Sequence, residues 1–157
     1  MRSRLLLALL VLVSPAAAAG EDVANGIITV NVHVAPRTSL TVSSRVLQFD
    51  VTQPGGTAAA AIDFTAGARL ASESDVVLTD EPLHGMAGPG GASDVETDLT
   101  FVGEGDGMLT GAVAMARSTT VGRWLGSGRR EGRVVFTLRA NAAGAYTLPV
   151  RFVLSTP

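Results

Sequence analysis

Near its carboxyl end the chain reads Tyr146-Thr147-Leu148-Pro149-Val150-Arg151-Phe152-Val153-Leu154, and every second residue from Tyr146 to Leu154 is apolar. Successive side chains of a β-strand point to opposite faces, so this spacing predicts a strand with one buried face and one wetted face. The run is the longest of its kind in the sequence. We therefore expect shorter segments with the same spacing to be β-strands as well.

The same alternation of apolar and polar residues recurs upstream, in segments separated by turn-forming Gly and Pro residues. The apolar residues of these segments are Ile28, Val30, Val32 and Val34; Leu40 and Val42; Leu47, Phe49 and Val51; Ala60, Ile62 and Phe64; Val76 and Leu78; Val95, Leu99 and Phe101; Val113 and Met115; and Val134, Phe136 and Leu138. About eight to ten short strands between such turns are typical of a sandwich or barrel. Because the strands alternate, we predict an all-β, antiparallel, Ig-like β-sandwich.

The Ala-rich segment 57–68 is the one place where a helix competes with a strand. Alanine has the highest helix propensity of the amino acids, which favours a helix. Ile62 and Phe64 flank the polar Asp63 in strict alternation, which favours a strand. We expect a strand and keep the helix as the alternative. Trp124, the single tryptophan, is expected to anchor the core near a strand end.

The amino-terminal residues have the composition of an export signal. Two arginines precede an apolar run over 5–13, and small residues follow at 16–20. That order is typical of a cleavable secretory signal peptide, and the apolar run is about half of the ~20 residues that a membrane-spanning helix needs. We expect cleavage after Ala19, with a signal peptide at 1–19 and a single β-sandwich domain at 20–157.

A cleaved signal places the mature protein in the periplasm, at the cell surface or in the extracellular medium, without membrane insertion. The sequence is rich in Ala, Gly, Arg and Val and contains no Lys. That bias is what a GC-rich genome encodes, and it indicates a bacterial protein.

Composition excludes several chemistries. The chain has no Cys, which removes disulfides, thiolate metal sites and a Cys nucleophile. All 12 basic residues are Arg, so a Schiff-base lysine and a phosphate-binding P-loop lysine are absent. The formal charge is −2, and it becomes −4 (10 − 14) once the two arginines of the signal peptide are removed. We therefore expect no nucleic-acid partner.

The two histidines of the chain offer little site chemistry. His33 lies among the polar residues of an alternating segment, and we interpret it as a solvated surface residue. His84 follows Glu81 by three residues, which is the spacing of a metal pair on a helix. Pro82 lies between them and makes a helix improbable, so no metal site is predicted there.

Asp94, Glu96 and Asp98 would lie on one face of a strand. They form a weak calcium candidate, with Glu104 and Asp106 in the following loop as conceivable further ligands. The simpler interpretation is a solvated strand face that discourages edge-to-edge aggregation.

The segment 126–132 is the most concentrated polar stretch, and it contains Arg129 and Arg130. It could bind an anion through backbone N–H groups and the two guanidinium groups. The interpretation that we prefer is a hairpin loop with arginines on its rim. Overall we predict no catalytic residue, no cofactor-binding residue, no metal ligand and no cofactor.

Both ends of the mature chain carry recognisable patterns. It begins with the alternating segment 28–36, continues with Leu47-Gln48-Phe49 and ends with Gly144-Ala145-Tyr146 ahead of the long alternating strand. An early alternating strand, a short L-x-F strand and a closing G-x-Y strand resemble the secreted bacterial β-sandwiches of the spore-coat-protein-U and fimbrial-subunit type. The resemblance implies a structural or surface-assembly role, with subunits joined by donated strands, and it implies no catalytic residues.

We expect a secreted, non-enzymatic structural or cell-surface protein whose partner is itself or another surface protein. The segment 20–34 could pair with the open edge of a neighbouring subunit, or 28–34 could be the first strand of its own domain. The alternative function is a monomeric binding module that uses the loops 80–94, 103–108 and 126–132. A small hydrolase is the third hypothesis.

Overall fold

The computed structural model describes residues 36–70, 72–89 and 97–157. These residues form nine β-strands and no α-helix. The strands are β1 Arg37–Val42, β2 Val46–Val51, β3 Thr57–Arg69, β4 Asp75–Pro82, β5 Thr97–Glu104, β6 Thr110–Ala112, β7 Thr119–Leu125, β8 Gly128–Ala140 and β9 Gly144–Ser155. The predicted all-β fold class is confirmed. No helix in the described part of the chain is long and apolar enough to span a membrane.

The strands form two antiparallel sheets in a sandwich arrangement. One sheet has the order β1-β3-β8-β5-β6 and is called sheet 1 below; the other has the order β2-β9-β4-β7 and is called sheet 2. Within the described residues, β5 and β6 are the only strands adjacent in sequence that also pair with each other. Most connections therefore cross from one sheet to the other.

The core lies between the inner faces of the two sheets, where the alternating apolar residues are fully buried. Sheet 1 contributes Val134, Phe136 and Leu138 from β8, and sheet 2 contributes Tyr146 and Leu148 from β9. Each such side chain stabilises the fold by about 1.5–3 kcal/mol relative to exposure. Alternation along β8 and β9 thus accounts for both the strands and the way in which the sheets pack.

Aromatic side chains connect the two sheets across this core. The ring centroid of Phe136 lies 6.4 Å from that of Phe101 in sheet 1 and 6.4 Å from that of Phe152 in sheet 2. Such pairs contribute about 0.5–1.5 kcal/mol beyond the area that they bury. The cluster fixes the spacing of the sheets at the level of Phe152.

Two buried aromatic residues use their polar atoms to hold turns. The Tyr146 hydroxyl donates to the carbonyl of Ala142 at 2.8 Å, in the manner of the tyrosine corner of immunoglobulin-type sandwiches. Trp124 Nε1–H donates to the carbonyl of Asp106 at 2.6 Å. Trp124 is buried at the penultimate position of β7, which confirms the prediction of a core anchor near a strand end.

The structure decides between the alternatives for the Ala-rich segment. β3 spans Thr57–Arg69, so the segment is a strand and the helical alternative is wrong. Its inner positions from Ala58 to Ala68 face the core, and its outer positions include the exposed Ala59 and Ala61. Packing between two sheets therefore overrides the helix propensity of alanine.

Two local predictions are wrong. Val113 and Met115 do not form a strand, because β6 ends at Ala112 and a turn follows, in which the Arg117 amide donates to the Ala114 carbonyl at 3.1 Å. The segment 126–132 is not a hairpin loop. Only residues 126–127 lie between β7 and β8, these strands belong to different sheets, and 128–132 lie within β8.

The signal peptide at 1–19 and the alternating segment 28–34 lie outside the described residues. The single domain at 20–157 stays a prediction for the same reason.

Candidate functional site

The last strand, β9, has different neighbours along its two halves. Its first half, 144–149, pairs with β2 over 46–51. Its second half, 150–155, pairs on the opposite side with β4 over 77–82. The pairing toward β2 ends where the Val150 amide donates to the Arg45 carbonyl at 2.9 Å. Beyond that bond, residues 151–155 have no strand partner on the β2 side among the described residues. We call this the open edge.

The open edge exists because the chain changes sheet between β1 and β2. The Ser43 amide donates to the Asp63 carbonyl of β3 at 2.9 Å, so residue 43 still belongs to sheet 1. The Arg45 carbonyl already accepts from Val150 of sheet 2. The connection between these two positions is stabilised by Ser44, whose Oγ accepts from the Val46 amide at 3.1 Å. β1 therefore runs in sheet 1 opposite a position in sheet 2 that no described strand fills.

Backbone groups without a strand partner among the described residues point outward along the open edge. In an antiparallel strand the N–H and C=O groups of alternate residues point to the same side. Those of Phe152 and Leu154 therefore point in the same direction as the Val150 amide, away from β4. An edge of this kind is a template for another strand, because it offers a row of donors and acceptors.

A cleft lies between the open edge and β1, and we call it the β1–β9 cleft. Its volume is about 390 Å³. Its apolar walls are formed by Leu40 and Val42 of β1, Val150 and Phe152 of β9, and Leu83 of the loop after β4. Leu40, Val42 and Phe152 pack against the core yet are only half-buried, and Leu83 is 47% exposed. The cleft is therefore an apolar slot beside the open edge.

Charged residues mark the rim of the cleft. Arg45 and Arg151 are exposed there, and the Arg151 guanidinium donates to Glu81 of β4 at 2.5 Å. This ion pair lies on the outer face of sheet 2, so it leaves the inner wall of the cleft apolar. The arrangement suits an incoming strand with apolar residues on one face and polar residues on the other.

One residue that the sequence analysis missed is Asp80 of β4. It is fully buried, and neither carboxylate oxygen has a hydrogen-bond partner among the described residues. Burial, together with the nearby negative charge of Glu81, raises its pKa to about 7. Asp80 has the same parity as Val76 and Leu78, which face the core, and that spacing is the signal that could have found it. The predicted loop surface 80–94 therefore does not begin at Asp80.

The sequence-predicted candidates do not converge on a site. His84 is exposed in the loop after β4, Asp98 lies on the outer face of β5, and Glu104 ends that strand. No three His, Asp or Glu residues of the described part of the chain lie close enough to hold a metal ion. His33, Asp94 and Glu96 lie outside the described residues, so the calcium hypothesis stays a prediction.

The arginines proposed for anion binding point in different directions. Arg129 is on the outer face of sheet 1, where its guanidinium donates to Glu131 at 2.9 and 2.5 Å. Arg130 points inward, and its Nε is buried. Because they lie on opposite faces of β8, the two guanidinium groups cannot bind one anion together. This contradicts the anion site as the sequence suggested it.

In comparisons with known proteins, no family model, no curated protein and no solved structure matches the chain.

Proposed function

We propose that this protein is a secreted, non-enzymatic structural or cell-surface protein that self-associates by strand donation into the β1–β9 cleft. The observation that carries the proposal is the open edge, where β9 has no strand neighbour beyond Val150 within the described part of the chain and lies beside an apolar slot. The donated strand is 28–34 of a second copy.

The segment 28–34 has the pattern that the cleft requires. Ile28, Val30, Val32 and Val34 would fill the apolar slot, and the polar residues between them would face water. The backbone groups of the incoming strand would pair with those of Phe152 and Leu154. Main-chain hydrogen bonds would supply affinity, and the alternating side chains would supply register.

Chain length favours donation to a neighbour over insertion into the same molecule. β1 begins at Arg37, which pairs with Arg69 at the end of β3, and the neighbouring Ala68 lines one small cavity with Leu154. The connection from Val34 to Arg37 spans at most ~10 Å, which is about the distance between two packed sheets. Insertion into the same molecule would need this short connection to cross between the sheets and reverse direction. A strand from a second copy has no such constraint.

Cysteine cross-linking tests the proposal, because the chain has no cysteine of its own. One mature protein carries Val153→Cys on the open edge, and a second carries Thr29→Cys, Asn31→Cys or His33→Cys. When the two are mixed under mild oxidation, donation predicts a disulfide between chains for the substitution that lies opposite Val153. Arg123→Cys on β7 is the control acceptor, and it should not cross-link.

A single chain that carries both cysteines distinguishes donation from pairing of 28–34 within its own molecule. A disulfide within a monomer, without a cross-linked dimer, would show that 28–34 completes its own domain and would overturn donation. Deleting 20–34 is the complementary variant. A folded protein that no longer associates supports donation, whereas an unfolded one shows that the segment belongs to its own core.

A further inference from the structure

The outer face of sheet 1 carries a four-strand-wide band of small side chains. The register places Ala59, Thr137 and Thr100 in one row, and Ala61, Val135 and Val102 in the next. β6 extends both rows by Ala112 and Thr110. Val102 is 49% exposed, and both alanines are exposed. No side chain in the band is larger than valine.

Alanine is an unusual choice at these positions. On a solvated strand face, β-branched and aromatic residues are favoured and alanine is depleted. Ala59 and Ala61 are outward neighbours on one long strand, so the middle of this face gains little cross-strand side-chain packing from β3. Small side chains do permit the close approach of a second sheet.

Charged residues of both signs border the band at each end. At one end, Arg139 of β8 lies opposite Asp98 of β5. At the other end, Arg133 of β8 lies opposite Glu104 of β5, and Arg133 also donates to Asp63 of β3 at 2.7 Å. In both rows β8 carries the positive residue and β5 carries a negative one, and the row of Arg133 has a second negative residue, Asp63, on β3.

This charge pattern is complementary to itself under one two-fold rotation. We propose that sheet 1 binds sheet 1 of a second copy face to face, about a two-fold axis parallel to the strands between β8 and β5. The rotation places each β8 over the partner's β5. Arg139 then faces the partner subunit's Asp98, and Arg133 faces the partner subunit's Glu104, each twice. Val135 covers the partner subunit's Val102 in the apolar centre.

The area of the band is small for a dimer interface. Three strands spaced by ~4.8 Å with six steps of ~3.4 Å each, and two steps on the short β6, give roughly 330 Å² per copy. The total of about 650 Å² is below the ~1,000 Å² of a stable specific interface. The geometry therefore points to a weak, reversible dimer whose specificity comes from its charge pairs.

This interface is independent of strand donation. It uses the outer face of sheet 1, whereas the β1–β9 cleft opens on the side of the sandwich. If both contacts form, chains joined by strand donation would also be joined side by side through sheet 1. Either contact can fail without the other, and the deletion of 20–34 separates them.

Charge reversal tests the interface by sedimentation equilibrium. Arg139→Glu faces the partner's Asp98, and Asp98→Arg faces the partner's Arg139, so each variant alone should weaken the dimer at least tenfold. In a mixture of the two single variants, the introduced carboxylate of one chain faces the introduced guanidinium of the other. The reciprocal contact keeps the original pair of Arg139 and Asp98, so a heterodimer should form. Arg123→Glu on the outer face of sheet 2 is the matched control and should leave the dimer unchanged. Thermal unfolding of each variant checks the fold.

A mixture that stays monomeric, or single variants that dimerise like the parent protein, would overturn the interface. The same measurements on the protein without 20–34 identify the contact that fails. A dimer that disappears only with that deletion belongs to the cleft and contradicts the sheet-to-sheet contact. A dimer that survives the deletion and responds to charge reversal supports it.

Discussion

The Val150 amide donates to the Arg45 carbonyl at 2.9 Å, and this bond is the last that the described chain forms between β9 and its neighbour on the β2 side. The position of that bond sets where the open edge and the β1–β9 cleft begin. Before it the sheet continues into β2, and after it the backbone of β9 faces the β1–β9 cleft.

A charge placed in the cleft should block association without unfolding the protein. Val42 points into the cleft and is half-buried, whereas its neighbour Thr41 points to solvent. Val42→Glu places a carboxylate where an apolar side chain would dock, so association should weaken at least tenfold. Thr41→Glu is the matched control and should associate like the parent. Light scattering over a concentration series measures both, and equal association of the two variants would contradict the cleft as the docking site.

Asp80 should make the stability of the fold depend on pH. Its pKa rises from 3.8 to about 7 on folding, so the folded state binds the proton more tightly than the unfolded chain does. The contribution of Asp80 to stability is therefore fully present below about pH 4 and is lost as the pH rises to about 7, by up to about 4 kcal/mol at ~1.4 kcal/mol per pKa unit. Asp80→Asn should remove this dependence and be the more stable protein at pH 8.

Urea unfolding at pH 5 and pH 8 measures this effect. Asp63→Asn is the control whose effect should be the same at both pH values, because the hydrogen bond from Arg133 lowers the pKa of the exposed Asp63. Its carboxylate is charged at pH 5 and at pH 8, and its contribution to stability is lost only as the pH falls below the ordinary pKa of 3.8. An Asp80→Asn variant that gains nothing at pH 8 relative to pH 5 would contradict a buried, unpaired carboxyl group.

Loss of the tyrosine hydroxyl should cost about one hydrogen bond. Tyr146→Phe removes the donor to the Ala142 carbonyl and keeps the buried ring. The expected loss is about 1 kcal/mol, because the carbonyl lies on an exposed turn that water can reach. Fluorescence of Trp124, the single tryptophan, reports unfolding in urea. The midpoint should shift at constant slope, and a changed slope would indicate that more than this bond is lost.

Substituting two glycines with left-handed backbone separates the stability cost of a steric clash from that of backbone strain. Gly107 has φ +70°, and a Cβ there would lie 2.5 Å from the Arg123 carbonyl oxygen and from Trp124 Cδ1. Gly55 has φ +73° with nothing within 4 Å of its Cβ position. Gly55→Ala should cost about 1–2 kcal/mol of backbone strain, and Gly107→Ala should cost more, by about 1–3 kcal/mol of overpacking. Equal losses in thermal unfolding would show that Trp124 yields easily.

The recurrence of an apolar residue at every second position was sufficient to predict most of the strands. From Tyr146 to Leu154 and from Val134 to Leu138 every second residue is apolar, and both segments lie in long strands with buried inner positions. At residues 113–115 the predicted strand was wrong. Val113 and Met115 are two apolar residues around a single alanine, and a turn that ties Arg117 to Ala114 replaced the expected strand.

The cleft could not be predicted, because it depends on which strands become neighbours. β2 finds its partner in 144–149, far along the chain, and no local signal in either segment identifies the other. The change of sheet at residues 43–45 depends on hydrogen bonds to Asp63 and Val150. Sequence reasoning could anticipate an open edge in general but not its position beside Phe152.

The position of β9 also sets the order in which the molecule can fold. β9 joins β2 to β4, so without 144–155 sheet 2 is reduced to the β4–β7 ribbon and an unattached β2. A two-stranded ribbon is marginally stable in water. The sandwich therefore cannot close until β9 has been synthesised, and its non-local pairings predict folding in milliseconds to seconds. A growing chain that has not yet reached 144–155 cannot complete sheet 2 and exposes the apolar inner face of sheet 1.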